Sequence, residues 1–203
     1  MKTLVVTYLP RGERSKTKIL VDEFLADAKG KVEMLDLCAD VPDMLLKENL
    51  AAYIFRNYLG QALGPKQAKS LERMDRMAAQ FKSADVAVVA FPLYNFSMPA
   101  AVKAYFDSIM QKGETWGEGK DGRETNMKGK KALVIMSSGG SYGTEAGSWE
   151  HGLSLAKVEF EFMGFSDIRA VSAQGLNEHK DKADLLITGA KAEIKKIANE
   201  WYD

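Results

Sequence analysis

The sequence predicts an open α/β fold, in which a doubly wound sheet of five parallel strands carries helices on both faces. Short apolar runs alternate with segments of helical periodicity from one end of the chain to the other. The run at 85–91 is apolar almost throughout, as expected of a buried strand. The last segment, 183–197, combines an apolar stripe with a face of Lys and Glu, as a helix that covers a sheet does. These three observations together indicate a parallel sheet with helical crossovers.

The predicted elements follow one another in a simple order. Strands are expected at 3–7, 32–37, 85–91, 132–136 and 168–171. Helical spacing of apolar residues is found at 19–25, 46–58, 71–81, 102–109, 149–163 and 183–197. Five strands with these connections fit the order 2-1-3-4-5, although the sequence alone leaves other doubly wound orders open.

Two segments depart from the strand–helix pattern. The connection between the second and third strands holds two helical patterns separated by Gly64-Pro65, which is enough chain to build a wall or a partner surface. Residues 112–131 are rich in Gly and charge, and they are interpreted as a surface loop that carries Trp116. Because no repeat or shift of composition divides the chain, residues 1–203 are expected to form a single domain.

Composition excludes several classes of protein. Lys and Arg together number 28, as do Asp and Glu, so the chain offers no electrostatic argument for binding nucleic acid or an anionic membrane. The one cysteine, Cys38, excludes an internal disulfide and a thiolate metal cluster, and no spacing of His or carboxylates indicates a metal site. The first residues resemble a strand rather than a signal peptide, and no apolar run approaches membrane-spanning length. We therefore expect a cytoplasmic enzyme or binding protein.

The first candidate site is the loop after the first strand, Leu9-Pro10-Arg11-Gly12-Glu13-Arg14-Ser15-Lys16-Thr17. Ser15 and Thr17 stand where the next helix should begin, so hydroxyl groups, free backbone N–H groups and the positive end of the helix dipole converge there. Such a site holds a phosphate monoester without a Walker lysine loop, and the chain contains no Gly-x-x-x-x-Gly-Lys-Ser/Thr motif. The alternative is that Ser15 only caps the helix.

The second candidate site is the loop Leu93-Tyr94-Asn95-Phe96-Ser97, which follows the third strand. Pro92 ends the ladder of that strand, and Pro99 suits the first turn of the next helix, so the loop is short and constrained. A rigid aromatic loop at the carboxyl end of a parallel strand is suited to a planar ligand. The alternative is that Tyr94 and Phe96 are core aromatics and Asn95 is a turn residue.

The third candidate site is the loop after the fourth strand, Ser137-Ser138-Gly139-Gly140-Ser141-Tyr142-Gly143. Its paired glycines allow the backbone to approach a ligand closely. Residues 139–143 also match Gly-x-Ser-x-Gly, the nucleophile elbow of serine hydrolases, and Asp167 and His179 follow in the order of a triad. Two observations weigh against that alternative: two serines separate the elbow from its strand, and His179 lies in a run of charged residues.

Together the three loops resemble those of the FMN-dependent NADH-azoreductase family, a branch of the flavodoxin-like NAD(P)H:quinone oxidoreductases. The resemblance covers nearly the whole chain, and its most specific element is Pro92-Leu93-Tyr94-Asn95-Phe96-Ser97-Met98-Pro99, followed by Lys103, Tyr105, Phe106 and Asp107. It implies a flavodoxin-like fold and a bound FMN. The residues implied for the phosphate are Ser15, Lys16 and Thr17, those for the isoalloxazine ring are Leu93, Tyr94, Asn95 and Phe96, and those for its pyrimidine end are Ser137, Ser138, Gly139 and Gly140. Leu9-Pro10 departs from the family, which often places there a serine that contacts FMN.

The same resemblance implies the chemistry. NADH or NADPH gives hydride to the flavin N5 and leaves, and a quinone or an aromatic azo compound then takes the electrons in a ping-pong sequence. No acid–base residue of the chain is assigned to catalysis. The resemblance also implies a homodimer, in which aromatic residues of the partner complete the pocket, and Trp116 is predicted to wall the substrate space.

Other functions stay open at this point. A flavodoxin-like electron carrier would bind FMN without accepting a nicotinamide, although such proteins are usually shorter and strongly acidic. An FMN reductase without azo activity, a scaffold that has lost its flavin and a serine hydrolase that uses Ser141 are further alternatives. The sequence identifies neither the physiological acceptor nor the choice between NADH and NADPH.

Overall fold

The computed structural model describes residues 1–120, 122–142 and 149–202, and it is built around a five-stranded sheet. The strands are β1 (Lys2–Thr7), β2 (Lys31–Asp36), β3 (Val86–Pro92), β4 (Trp116–Gly119), β5 (Gly122–Thr125), β6 (Lys131–Ser137) and β7 (Asp167–Ala173). The helices are α1 (Lys16–Asp27), α2 (Lys47–Asn57), α3 (Pro65–Lys82), α4 (Ala100–Ile109), α5 (Gly152–Met163) and α6 (Ala183–Tyr202). None of the helices in the described ranges is long and apolar enough to cross a membrane.

The order of the large sheet is β2-β1-β3-β6-β7, and all of its neighbouring strands are parallel. β4 and β5 form a separate antiparallel pair, so this order corresponds to the predicted 2-1-3-4-5. All five predicted strands are present, with bounds that differ by one or two residues from those expected. The order is therefore confirmed, and the alternative orders are excluded.

The buried side chains of the sheet divide between two cores, because successive residues of a strand point to opposite faces. One core packs Leu4, Val89 and Val134 together with residues of α3, α4 and α5. The other packs Val5 and Val88 together with residues of α1 and α6. The central strand β3 contributes to both cores and is buried from residue 86 to residue 91, which explains its uninterrupted apolar run.

Each of the three candidate loops joins the carboxyl end of a strand in this sheet to a helix. α1 follows β1, α4 follows β3 and α5 follows β6. Since parallel strands all end at the same edge, the loops that precede these helices leave the sheet side by side. The loop between β7 and α6 leaves the sheet at the same edge. This edge is where the candidate site residues gather.

The connection between β2 and β3 folds into the two predicted helices. α3 begins at Pro65 with Gly64 as its N-cap residue, so this dipeptide marks the boundary, as predicted. α2 packs against α3 in a small core of their own that includes Ala52, Tyr53 and Leu71. The pair of helices extends the protein beside the β3–α4 side of the sheet.

An exposed apolar stripe runs along α2. Four large apolar side chains, spaced four residues apart, are exposed on one side of the helix and at its two caps: Leu46, Leu50, Ile54 and Tyr58. A groove of about 910 Å³ lies beside the stripe and is lined by residues of the β2–α2 loop, α3 and α4, including Val41, Met44, Arg73 and Ala101. Within a single chain, nothing in the described residues covers this surface.

The segment 112–131 is not the loop that the sequence predicts. β4 and β5 form a hairpin in which Trp116 pairs with Thr125. The Trp116 ring packs edge-on against the ring of Phe162 in α5, with centroids 5.1 Å apart. The sequence pattern does not predict the hairpin, because its strands are only four residues long and lack apolar alternation. Contacts made after folding stabilise it.

A buried carboxyl group lies between α4 and α5. Glu159 is 5% exposed, and its Oε1 lies 3.5 Å from Nζ of Lys103. Its Oε2 has no hydrogen-bond partner among the described residues. Burial raises the pKa of Glu159 to about 7, because lost hydration outweighs the attraction of the Lys103 ammonium group. The carboxyl group is therefore partly protonated near neutral pH.

We expect Glu159 to make the free energy of unfolding fall as pH rises from about 4.5 to about 7. The folded chain keeps the proton in this window and the unfolded chain releases it, so the folded state binds more protons. Glu159→Gln resembles the protonated form. It should be more stable than the parent chain by about 1–3 kcal/mol near pH 8 and about equal to it near pH 4, as measured by urea unfolding.

The control for this prediction is Glu161→Gln, which changes an exposed carboxyl group of the same helix. It should leave the pH dependence of the parent chain in place. A stability difference between Glu159→Gln and the parent chain that is the same at both pH values would contradict the assignment.

Candidate active site

The three predicted loops meet at the carboxyl edge of the sheet and enclose a cleft of about 240 Å³. Seven of the predicted site residues line it: Ser15, Lys16, Leu93, Tyr94, Ser137, Ser138 and Gly139. The remaining lining residues are Pro10, Arg11, Pro92, Leu176 and Asn177. The two charged residues in this lining, Arg11 and Lys16, are both basic, so the cleft is suited to an anion.

In the first loop, the hydroxyl group of Ser15 is uncommitted. Ser15 is buried and occupies the N-cap position of α1, but its side chain makes no capping bond within the described part of the chain. The alternative in which Ser15 serves only as a cap is therefore not what the geometry shows. The hydroxyl, the free N–H groups of the first turn and the helix dipole are all available to a ligand in the cleft.

Thr17 lies behind the first loop rather than in the lining of the cleft. It is fully buried, and its hydroxyl group lies 2.7 Å from the hydroxyl group of Ser137, at the end of β6. Either oxygen can donate this hydrogen bond. Thr17 does not line the cleft, and its bond instead joins the first loop to the third.

The second loop is a tight two-residue turn. The N–H of Tyr94 donates to the carbonyl of Ser97, and the N–H of Ser97 donates to the carbonyl of Tyr94, both at 3.1 Å. The two residues between them have positive φ, 49° at Asn95 and 71° at Phe96, as in a type I′ turn. For a phenylalanine this conformation is rare and costs roughly 1–3 kcal/mol. Asn95 and Phe96 themselves stand exposed beside the cleft rather than in its lining.

The third loop is held by the loop that follows β7. The carbonyl of Gly139 accepts the N–H groups of Asn177 and Glu178, at 2.9 and 3.1 Å. The carbonyl of Gly140 accepts the N–H of Gly175 at 2.9 Å. The N–H groups of Gly139 and Gly140 donate to no other group in the described ranges. Two free donors therefore remain at this loop.

Gly139 packs closely against a side chain of the neighbouring loop. A Cβ atom at this position would lie 2.5 Å from Nδ2 of Asn177, which is shorter than any normal contact. Its conformation itself is ordinary, so the constraint is space rather than backbone strain. The approach of Asn177 brings the β7–α6 loop into the site.

Two lining residues of that loop, Leu176 and Asn177, were not predicted from the sequence. They belong to no recognised motif, and Asn177 is one polar residue among several in its segment. A topological signal was nevertheless available: once β7 is placed parallel to β6, the loop after it must leave at the same edge.

Trp116 lies away from the cleft of its own chain. Its indole N–H donates to the carbonyl of Met110, just beyond α4, and its ring packs on Phe162, in the last turn of α5. Both helices begin near the cleft and run back along the sheet, so their ends mark its opposite edge. Trp116 is therefore too remote to wall the cleft of its own chain.

The geometry also rules out the triad of the serine hydrolase alternative. Asp167 begins β7, and Ser141 lies beyond the opposite, carboxyl edge of the sheet. The length of the strand, roughly 20 Å, therefore separates these two residues. Asp167 is bound instead by Arg169 Nε at 2.6 Å and by the indole N–H of Trp201 at 2.9 Å. The described residues contain no group of three or more His, Cys, Asp or Glu that could hold a metal ion.

Comparisons with known proteins agree with this geometry. A family model described as a flavodoxin-like fold matches residues 1–198. The FMN-dependent NADH:quinone oxidoreductase of Acidovorax ebreus is 36% identical over 80% of this chain and 75% of that protein. The enzyme of the same name from Azospirillum brasilense is 29% identical over 98% of both chains.

A solved structure gives the same result. The FMN-dependent NADH-azoreductase from Bacillus anthracis, determined in complex with FMN, superposes with a TM-score of 0.87 at 29% identity, covering 100% of this chain and 99% of that one. With the parallel order of the sheet and the three loops at its carboxyl edge, these matches lead to one assignment. The chain belongs to the flavodoxin-like fold family, within the branch of the FMN-dependent NADH:quinone oxidoreductases and NADH-azoreductases.

Proposed function

We propose that this chain is an FMN-dependent NAD(P)H oxidoreductase that reduces quinones and aromatic azo compounds. The observation that carries the proposal is the meeting of the three loops at one basic cleft. The names of the relatives, NADH:quinone oxidoreductase and NADH-azoreductase, supply the two substrate classes and the electron donor.

The residues of the cleft fit FMN. At one end, the uncommitted hydroxyl of Ser15, the start of α1 and the cations of Arg11 and Lys16 suit a phosphate group. At the other end, the N–H group of Gly139, which has no partner among the described residues, suits an electron-rich ring edge. Gly140 adjoins the lining without being part of it. FMN supplies the hydride transfer when it is bound, and the protein supplies the binding and orientation.

We assign different roles in FMN binding to the predicted site residues. Ser15 and Lys16 hold the phosphate, and Leu93 and Tyr94 lie beside the ring. Thr17 and Ser137 act through their mutual hydrogen bond, which fixes the first loop against the third. Ser138 acts likewise, because its hydroxyl donates to the carbonyl of Gly140 at 2.8 Å and holds the glycine loop in shape. Asn95 and Phe96 stand at the rim, where a substrate enters.

A ping-pong sequence is part of the proposal, because one open face of a bound flavin would serve the nicotinamide first and the acceptor afterwards. No side chain is assigned to proton transfer in this scheme, so the proton that completes reduction of a quinone to a hydroquinone would come from solvent.

We also propose how the chain is organised and where it works. Residues 1–203 form one doubly wound domain, as supported by two cores that share a single sheet. The exposed thiol of Cys38 and the use of a nicotinamide donor support a cytoplasmic location. The exposed stripe of α2 and its neighbouring groove support a homodimer, since a surface of this kind is costly when it faces water.

The first test is an absorption spectrum followed by a turnover assay. The purified chain, supplemented with FMN, should retain flavin absorption after gel filtration and should oxidise NADH when menadione is present. A flavodoxin-like electron carrier would retain the flavin without oxidising NADH. A colourless preparation that takes up no added FMN would refute the proposal.

Ser15→Ala should weaken FMN binding about tenfold, because a hydroxyl that donates to a phosphate is lost. Riboflavin, which lacks the phosphate, should bind the variant and the parent chain equally well. Fluorescence titration of the FMN-free protein measures both affinities. Ser70→Ala, on α3 and outside the cleft, serves as the control.

The two explanations for Ser15 differ in what they predict for stability. Loss of a helix cap would lower the free energy of unfolding of the FMN-free protein by about 1 kcal/mol. We expect no such loss. Equal FMN affinity with lowered stability would show that Ser15 only caps α1.

The homodimer is tested by placing charge on the stripe. Leu50→Asp combined with Ile54→Asp should give a monomer at micromolar concentration with unchanged circular dichroism, because both side chains are exposed in the single chain. Sedimentation velocity measures the mass. Leu185→Asp, an exposed apolar position on α6, is the control and should stay dimeric. A parent chain that is itself monomeric would disprove the dimer.

A further inference from the structure

Three aromatic side chains form an exposed cluster beside the cleft, here called the aromatic cluster: Tyr142, Phe96 and Trp149. Phe96 is in the middle, and its ring meets those of Tyr142 and Trp149 edge to face, with centroids 6.2 and 5.8 Å apart. Trp149 is 61% exposed and Phe96 is 47% exposed. A core function does not explain a cluster that leaves this much aromatic surface in contact with water.

The cluster is held in place rather than loosely attached. The N–H of His151 donates to the carbonyl of Phe96 at 2.8 Å, which links the start of α5 to the strained turn. The carboxylate of Glu150 accepts the N–H groups of Gly152 and Leu153, at 2.6 and 2.7 Å, and so anchors the segment that carries Trp149. Strained backbone persists where surrounding contacts determine it, and it is common at ligand sites.

The cluster stands at the rim of the cleft. Phe96 follows the lining residue Tyr94 within the same turn. Tyr142 follows the glycine loop, and its ring lies 3.7–3.8 Å from where a Cβ of Gly140 would be. On the other side, Gly152 packs so closely on Leu93 that a Cβ there would lie 2.9 Å from its Cδ1. A ligand that protrudes from the cleft on this side therefore meets the aromatic cluster first.

The chemistry of Trp149 matches a flat acceptor with carbonyl oxygens. Its indole ring is the largest aromatic surface of the cluster, and it offers a face to stack on. Its Nε1–H donates to no group in the described part of the chain, so it is available to an acceptor oxygen. A fused-ring quinone carries both features, an extended π face and a carbonyl oxygen at its edge.

We propose that Trp149, supported by Phe96 and Tyr142, determines specificity by stacking fused-ring quinones at the rim of the cleft. This inference rests on the proposed function, since it concerns the acceptor of that reaction. It replaces Trp116, which lies at the opposite edge of the sheet, as the tryptophan that faces the substrate.

The test compares Trp149→Ala with Trp116→Ala in the FMN-loaded protein. Binding of menadione to the oxidised protein is measured by calorimetry without NADH, and steady-state NADH oxidation is measured with menadione and with ferricyanide, which accepts electrons without stacking. In Trp149→Ala the Kd and the KM for menadione should rise about five- to tenfold, while ferricyanide reduction and FMN content stay unchanged. Trp149→Phe should recover most of the affinity, and Trp116→Ala should bind menadione as the parent chain does.

The outcomes separate this inference from the proposed function. Menadione affinity that changes less than twofold in Trp149→Ala, or that falls in Trp116→Ala instead, overturns the inference whatever the turnover. An equal fall of the menadione and ferricyanide rates in Trp149→Ala also overturns it, because the residue would then support the fold or the flavin. A parent chain that binds menadione through Trp149 but does not oxidise NADH would support the inference while refuting the function.

Discussion

The parallel pairing of β1, β3 and β6 is the constraint on which the candidate site depends. Pro92 pairs with Ser137 at the ends of β3 and β6, and the N–H of Tyr8 reaches the carbonyl of Ala90, so the three strands end level with one another. The loops that follow them are consequently neighbours, although they are far apart in the sequence. β3 occupies the centre because it can be buried on both faces. A different strand order would separate the loops while leaving each motif intact.

Most polar groups at this edge are bonded to one another, and the exceptions define the site. The hydroxyl groups of Thr17 and Ser137 pair in the interior, and the carbonyl of Gly139 is taken by the β7–α6 loop. The hydroxyl of Ser15 and two glycine N–H groups are left without partners among the described residues. The surrounding groups are hydrogen-bonded to one another and hold these few donors in position. Less conformational entropy is therefore lost at the site when a ligand binds. The basic side chains Arg11 and Lys16 add attraction for an anion.

Much of the fold was predictable because its signals are local. A buried strand and an amphipathic helix can each be recognised from the pattern of about a dozen residues. Gly64-Pro65 marks the start of α3 through backbone preferences alone. The β4–β5 hairpin was missed because its stability comes from packing of Trp116 on α5, which no local pattern encodes. The site was predicted in part for the same reason: loop motifs are local, but Leu176 and Asn177 enter it only through the position of β7.

Local patterns in the sequence were enough to locate the five strands of the large sheet, the six helices and the three loops, because apolar periodicity and turn residues act over short distances. The same local motifs indicated the family, through their resemblance to its loops in order and spacing, and the comparisons show it. The tertiary fold fixes which of the motif residues face the cleft and which, like Thr17, turn inward to another hydroxyl. It alone placed Trp116 at one edge of the sheet and Trp149 at the other. The direction of a side chain depends on the neighbours that packing supplies, and these come from distant parts of the chain.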